Sequence, residues 1–389
     1  MLKTHVIKKS KLLGISLLGF LFTIQYSLPI YINSSFLASL TTEWFFGFIY
    51  PLASILSILL FINAPHLLQK FGNYRIGIAM FLINMATLLV MAFSNTSSVI
   101  IAAFIVNFAS VAFTYLTFDV IIEHSSLNAS TGTVRGLFFT GLNIAWLFGP
   151  LLGAFVLAHG DYWHVYTLSA LMMIPFIFLF RIHSKEFTDP PYIKSSLWKT
   201  FRKISKDRNV YKIFMAKFLL HFFFALMVIY MPIYLSSHIG LSWETIGIIF
   251  AIILLPFALL EAPLGRLADT LWGEKEILSV GFIITALSTI LISFTVTTSA
   301  IIWTLVLFAT RIGASMIEIM TETYLFKKIS DVNINIMSLF RTMRPWAYIS
   351  CPLVVTLLLT MIDLRYVFGV IGILLLYGLR YSLTLKDTR

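Results

Sequence analysis

Long apolar stretches, each the length of a membrane-spanning helix, alternate with short polar stretches along most of the chain. A helix needs about 20 mostly apolar residues to cross the hydrocarbon core of a bilayer. Twelve stretches meet this requirement, so the pattern predicts twelve transmembrane helices. They lie near residues 12–32, 44–63, 74–94, 98–120, 136–158, 163–181, 212–235, 244–262, 276–295, 299–325, 336–360 and 364–384.

The composition places these stretches in a bilayer and predicts an all-α fold. The chain has 389 residues, of which 59% are hydrophobic and 12% are charged, whereas soluble domains carry about 25% charged residues. A segment inside the bilayer must satisfy its own backbone hydrogen bonds, as a helix does. The single cysteine, Cys351, excludes a disulfide framework and a cysteine metal cluster.

The sequence offers no residues for a resident metal or a cofactor. His159, Asp161 and His164 share one short outer loop, but no fourth ligand accompanies them, so a solvated loop is the better interpretation. The chain has no Walker-type glycine loop, so ATP does not drive the protein directly. We therefore expect neither a metal nor a cofactor.

Basic residues fall in alternate loops between the predicted spans. Loops on the cytoplasmic side of membrane proteins are enriched in Lys and Arg. The basic loops contain Lys70 and Arg75, Arg135, Arg266 and Lys275, and Lys327 and Lys328. This alternation predicts a multi-pass protein of a plasma or bacterial inner membrane, with both termini in the cytoplasm. The net charge of +11 is then topological, and no nucleic-acid partner is expected.

Distant parts of the chain match at a nearly constant offset. Leu28-Pro29-Ile30-Tyr31 is echoed by Met231-Pro232-Ile233-Tyr234 at an offset of 203, and Pro150-Leu151 by Pro352-Leu353 at 202. Gly47-Phe48-Ile49-Tyr50 similarly matches a segment that begins at Gly247. Such offsets indicate an internal duplication. Because each half has an even number of spans, the halves share one orientation and a pseudo-two-fold axis along the membrane normal.

The duplication divides the chain into three parts. We predict a six-helix half at residues 1–181 and a second six-helix half at 212–389. A basic linker at residues 182–211 joins them on the cytoplasmic side.

Two motifs add a family resemblance. The loop after the eighth predicted span reads Gly265-Arg266-Leu267-Ala268-Asp269 and continues to Gly273, with one residue inserted before that glycine. The fifth span contains Gly149-Pro150-Leu151-Leu152-Gly153. Together with the twelve spans in a parallel repeat, these motifs resemble the major facilitator superfamily. The resemblance implies a secondary transporter, not an enzyme, that rocks its two halves about a midplane site.

The fifth-span motif leaves the direction of transport open. The segment from Gly149 through Pro150 to Gly153 is similar to a motif common in the family's antiporters, which favours an exporter or antiporter. The two glycines are also four residues apart on one helix face, and simple helix packing is the favoured interpretation. The alternative is an uptake or facilitative permease for an anionic solute bound by Arg311. A polytopic enzyme acting on lipid and a non-transporting sensor are weaker candidates.

The resemblance also implies a latch on the cytoplasmic side. Asp269 would meet the positive N-terminus of the fifth span, which opens with Arg135. This contact would break when the cytoplasmic side opens.

Charges inside the spans are the strongest functional signal, because each costs several kcal/mol unless it is paired or wet. At about 1.5 Å per residue, Arg311 and His221 lie roughly 15 Å into their spans, near the midplane. The resemblance implies a cavity lined by the first, fourth, seventh and tenth spans. The candidate cavity residues are Gln25, Tyr26, Tyr31, Asn107, His221, Tyr230 and Arg311.

A charge network is expected beside this cavity. Glu318 and Glu322 follow Arg311 on one helix face, and Arg341 and Arg344 begin the eleventh span one turn apart. If Arg311 is the surplus cation, the cavity has a site for an anionic group. If Arg311 pairs with Glu318, the cluster is a structural strut and gate.

Asp119 and Glu123 form a second acidic pair, at the cytoplasmic end of the fourth span. Two carboxylates one turn apart repel, which suits a proton carrier, but a position near the interface favours a gate. H+ is therefore a candidate coupling ion, although the first span has no acid. The expected partners are a small-molecule substrate and the lipid bilayer, and we expect a monomer.

Overall fold

The computed structural model describes residues 9–125, 131–184, 202, 207–270, 272–328 and 339–387. Every regular element in these ranges is helical, so the predicted all-α fold is confirmed. The first seven helices are α1 (Lys9–Ser27), α2 (Asn33–Ser39), α3 (Glu43–Phe71), α4 (Asn73–Phe93), α5 (Ser97–Ser125), α6 (Thr131–Ala158) and α7 (Tyr162–Ser184).

The remaining helices begin at Arg208, and a π-helical turn follows the second of them. They are α8 (Arg208–Ile229), α9 (Met231–Ile233) with a π turn at Tyr234–His238, α10 (Trp243–Ile253), α11 (Leu255–Thr270), α12 (Glu274–Ile292), α13 (Ala300–Lys328), α14 (Met343–Leu359), α15 (Leu364–Leu376) and α16 (Gly378–Ser382).

Ten helical segments in the described ranges are long and apolar enough to cross a membrane. They correspond to ten of the twelve predicted spans. The first and fifth predicted spans fall on α1 and α6, which are not among the ten, and the apolar helix found in α6 is the shorter Ile144–Ala158. Ten predicted spans are therefore confirmed, and the total of twelve stays a prediction.

Contacts divide the chain into two compact units. The first comprises Met1–Ile32 and Leu59–Lys194, and the second comprises Asn33–Ile58 and Ser195–Arg389. In the first unit α1 packs against α6 and α7, and α4 against α5 and α7. In the second unit α8 packs against α14 and α13, and α12 against α13 and α15. The N-terminal half of α3, up to Ile58, thus belongs by its contacts to the second unit, while the predicted boundaries of the repeat stay a prediction.

Both copies of the repeated Pro-Ile-Tyr segment interrupt a helix. α1 ends at Ser27 and a turn follows, in which the backbone N–H of Ile32 donates to the carbonyl of Pro29. α8 ends at Ile229, just before Pro232 and the π turn. Proline lacks the N–H that would continue the helical ladder, so both breaks follow from the sequence.

A row of small residues on α6 forms the packing face toward α1. A Cβ atom added at Gly149 would collide with the Ser27 hydroxyl, and one at Gly153 would collide with the carbonyl oxygen of Leu28. The Ser27 Oγ donates a hydrogen bond to the carbonyl of Ala145 at 3.0 Å. Small residues at four-residue spacing let two helix backbones approach closely inside a membrane. These glycines therefore set the distance between α1 and α6.

We expect Gly149→Ala to destabilise the protein by about 1–3 kcal/mol, because the new methyl group overpacks the contact with Ser27. Thermal unfolding can be followed with a thiol-reactive dye, because Cys351 is fully buried in the folded chain. Gly265→Ala is the matched control, since no atom of the described residues lies within 4 Å of its added Cβ. Equal melting temperatures for the two variants would contradict the packing role of Gly149.

Candidate functional site

The α8 and α13 helices pack against each other and carry two of the buried charges in the second unit. Lys217 of α8 and Arg311 of α13 are 4% and 3% exposed. Both are cations inside segments that are long and apolar enough to span a membrane. Their surroundings differ, and this difference determines what each can do.

Lys217 is held by two carboxylates of α13. Its Nζ lies 2.6 Å from Glu322 Oε1 and 3.4 Å from Glu318 Oε1. It also lies 5.3 Å from the ring centroid of Phe340, just before α14. Residues four apart on a helix share one face, so both carboxylates reach one ammonium group. With all three groups ionised, this cluster of Lys217, Glu318 and Glu322 has a net charge of −1.

Sequence reasoning missed Lys217, although a signal for it existed. The residue lies inside a predicted span, four positions before His221 and therefore on the same helix face. A lysine in such a place needs a carboxylate partner. The structure provides Glu318 as one partner, so the pairing of Glu318 with Arg311 that was one interpretation of the sequence is not formed.

Arg311 has aromatic neighbours in place of a carboxylate. Its guanidinium carbon lies 5.5 Å from the ring centroid of Phe223 and 5.7 Å from that of Phe224. Its Nε is buried and has no hydrogen-bond partner among the residues that the structure describes. Within the described part of the chain, no carboxylate forms an ion pair with Arg311. Aromatic faces attract a cation, but they do not neutralise its charge, and the Nε–H donor is left available for an acceptor.

His221 also contacts the ring of Phe224. Its ring centroid is 5.8 Å from that of Phe224, in an edge-on arrangement. Its buried Nδ1 has no hydrogen-bond partner among the described residues. The structure thus brings together two of the predicted cavity residues, Arg311 and His221, around Phe224.

The other predicted residues of the second unit have packing contacts. Tyr230 is 3% exposed, and its hydroxyl donates a hydrogen bond to the carbonyl of Pro352 at 3.5 Å. The guanidinium of Arg344 lies 5.6 Å from the ring centroid of Tyr348. Arg341 is half-buried, between Phe340 and α14.

The predicted cavity residues of the first unit are mostly buried in helix contacts. Tyr26 meets Trp146 edge-on at 5.8 Å between ring centroids. Asn107 Nδ2 donates to the Thr87 hydroxyl at 3.0 Å, which joins α5 to α4. Tyr31 is 4% exposed. Gln25 is 1% exposed, and its Nε2 has no hydrogen-bond partner in the part of the chain that the structure describes.

Several predicted gate residues cannot be assigned contacts. The side chains of Asp119, Glu123, Arg135 and Asp269 lie outside the described residues. The latch between Asp269 and the start of the fifth span therefore stays a prediction. Gly265 and Gly273 of the same loop motif are described, Gly273 as the residue that precedes α12.

A tight layer of contacts joins the N-terminal half of α3 to α14 in the second unit. A Cβ added at Gly47 would collide with the Thr356 hydroxyl. Around this point Phe46 meets Tyr230 edge-on at 6.1 Å, and the rings of Tyr50 and Tyr348 lie 6.3 Å apart. Gly47 and Tyr50 belong to a segment that the sequence analysis identified only as part of the repeat.

The apolar helices, the breaks at two related prolines and the charges buried inside spans define a multi-pass membrane protein of the transporter class. The sequence profile described as "Major Facilitator Superfamily" matches residues 12–330 and again 213–386. The chain therefore belongs to the major facilitator superfamily, a family of transporters and not of enzymes. The resemblance noted in the sequence is confirmed.

Solved structures with the same fold support this membership. The crystal structure of the nucleoside transporter NupG superposes with a TM-score of 0.75 at 12% identity, and the match covers 97% of this chain and 100% of that chain. A point mutant of NupG gives the same TM-score and identity, and covers 96% and 99%. At this identity the likeness concerns the fold alone. No curated protein sequence gives a significant match.

We expect Lys217→Met to destabilise the protein, because two neighbouring carboxylates would lose their cation. Removing one partner of a fully buried ion pair lowers the free energy of unfolding by about 3–5 kcal/mol. We expect a loss of roughly 2 kcal/mol here because both carboxylates are about a third exposed. The measurement is thermal unfolding in detergent. Lys70→Met is the matched control, since Lys70 also lies over a phenylalanine ring but is exposed.

Adding Glu318→Gln and Glu322→Gln to Lys217→Met removes the uncompensated charges and should recover most of the loss. A triple variant no more stable than Lys217→Met would contradict the ion-pair explanation.

Proposed function

We propose that the protein is a secondary transporter that moves a small solute across the cell membrane by rocker-switch alternating access. Both termini lie in the cytoplasm, and the working unit is a monomer. Family membership supports transport in general. The observation that carries the mechanism is the tight layer at Gly47 and Thr356, because it joins a helix of the first predicted half to a helix of the second.

Such a layer is what alternating access requires on a closed side. The missing side chain at Gly47 lets α3 touch α14 directly, and the rings of Tyr50 and Tyr348 meet one turn further on. A solute that approaches from the outer side can pass only if these helices separate. Interfaces of this kind have two discrete arrangements because packed groups do not deform continuously.

The direction of transport is proposed as export or antiport, on the strength of the fifth-span motif. Gly149 and Gly153 pack against the end of α1. In this proposal the motif therefore keeps α1 and α6 together during the movement. The proposed coupling ion is H+, and the carboxylates of Glu318 and Glu322 are the described groups inside the spans best suited to carry it.

A second candidate function is uptake or facilitated passage of an anionic solute. The observation in its favour is Arg311, a buried cation whose Nε–H has no acceptor among the described residues and whose neighbours include two aromatic rings. A neutral nucleoside is the natural competitor, because the solved structures with this fold include a nucleoside transporter. An anion gains from the uncompensated charge of Arg311, and a nucleoside does not.

Joining Gly47 to Thr356 should abolish transport. Cysteines at both positions, in a Cys351→Ser background, would have their Cβ atoms about 3.0 Å apart, so the helices need to move apart by only about 0.5–1 Å to reach the Cβ separation of a usual disulfide. Oxidation should stop solute flux in proteoliposomes, and a reductant should restore it. The two single-cysteine variants are the controls. Unchanged flux in the cross-linked protein would contradict alternating access at this layer.

Arg311→Gln should lower the uptake of a carboxylate such as benzoate at least tenfold, because the site loses a buried positive charge that no described carboxylate pairs with. Uptake of uridine is measured in parallel. Arg380→Gln is the control, since Arg380 also contacts an aromatic ring but lies at a helix end with part of its surface exposed.

Normal benzoate flux in Arg311→Gln would exclude the anion site and leave the transporter proposal intact. Flux no greater than that of empty vesicles for every solute tested would overturn the transporter proposal itself.

A further inference from the structure

The C-terminal segment at residues 383–387 lies across the ends of three helices of the second unit, and we call it the strap. The Lys212 ammonium of α8 donates to the carbonyl of Thr384. The Tyr324 hydroxyl of α13 donates to the carbonyl of Lys386 at 2.9 Å. The side chain of Leu385 is 4% exposed, so the strap is packed down and not only hydrogen-bonded.

The strap ends on the N-terminus of α12. The first backbone N–H groups of a helix have no partner within the helix, and a side-chain oxygen of the preceding residue usually accepts from one of them. Here the preceding residue is Gly273, which has no side chain to do so. The Asp387 carboxylate takes that role, because the backbone N–H of Lys275 donates to its Oδ1 at 2.9 Å. A negative charge at this end also complements the helix dipole.

Gly273 leaves the space that this carboxylate needs. A Cβ added there would come within 2.5 Å of Asp387 Cγ and Oδ2. Its φ of −83° is available to any residue, so the glycine is required by the close approach and not by its backbone conformation. Gly265, the other glycine of the same loop motif, has nothing within 4 Å of an added Cβ. Of these two glycines, only Gly273 is therefore needed to make room for the strap.

Neighbouring contacts extend the connection. The hydroxyl of Ser279 in α12 donates to that of Ser382 in α16 at 2.8 Å. Glu274, the first residue of α12, is fully buried and pairs with Lys327 of α13 at 2.8 Å. The ends of α12 and α13 are thus joined both directly and through the strap.

We propose that residues 383–387 tie the ends of α8, α12 and α13 into one body, with Asp387 as the cap of α12 and Gly273 kept small to receive it. The strap holds the alignment of α8 with α13, the two helices that share the cluster of Lys217, Glu318 and Glu322. This proposal concerns the second unit alone and does not depend on the solute or on the direction of transport.

The test measures hydrogen exchange of the backbone amides at residues 275–277 in the full-length protein in detergent. Asp387→Ala should speed this exchange by about 2- to 30-fold, the factor that corresponds to the loss of a helix cap. Asp387→Asn keeps an acceptor oxygen and should stay closer to the parent. Asp363→Ala is the matched control, because Asp363 also precedes a helix but makes no side-chain cap hydrogen bond.

Gly273→Ala supplies the second arm, because its methyl group should displace the carboxylate and reproduce the effect of Asp387→Ala. In the Asp387→Ala background the same substitution should have no further effect, and Gly265→Ala should have none in either background. Unchanged exchange at residues 275–277 in Asp387→Ala would overturn the proposal. The proposal would also be overturned if the exchange rate of the double variant showed the product of the two single effects, because Gly273→Ala and Asp387→Ala would then act independently. Unchanged exchange in α14 shows that each variant is folded.

Discussion

A bilayer contains no water to satisfy the polar groups of a polypeptide backbone, and the rest of this structure depends on that constraint. Non-helical backbone is tolerated at membrane depth only where protein covers it. The break after α1 meets this condition, since Leu28, Ile30 and Ile32 are at most 4% exposed. The break at Met231 and Tyr234 is buried to the same degree. Two related prolines could therefore interrupt two helices without exposing their carbonyls to lipid.

The lack of water inside a bilayer also constrains charges, and it distinguishes Lys217 from Arg311, two cations that look alike in the sequence. Lys217 has two carboxylate partners, Glu318 and Glu322. Arg311 is stacked on two phenylalanines and lacks a counter-ion among the described residues. An uncompensated cation in a dry interior is expensive unless something else neutralises it during the working cycle. Arg311 is for this reason the residue from which we argue for a substrate.

Much of the architecture was predictable because it depends on local patterns. Apolar stretches of the right length predicted ten spans that the structure confirms. The two helix breaks lie at Pro29 and Pro232, the prolines that the repeat relates to each other. Partners could not be predicted in this way. The spacing of Glu318 and Glu322 shows that they share a face, but not that α8 turns Lys217 toward them. Gly47 with Thr356 and Gly273 with Asp387 are likewise pairs from distant parts of the chain, and a glycine gives no sign of what occupies the space it leaves.

The contact at Gly47 has a consequence for how the protein responds to its surroundings. At this point the Gly47 backbone meets the uncharged side chain of Thr356, so the contact itself contains no ionisable group. The neighbouring rings of Phe46 and Tyr230 add only apolar and edge-on aromatic attraction. The strength of this contact is consequently set by shape, and it should be indifferent to ionic strength. Among the described contacts of the second unit, the pair of Glu274 and Lys327 should instead weaken as the ionic strength rises.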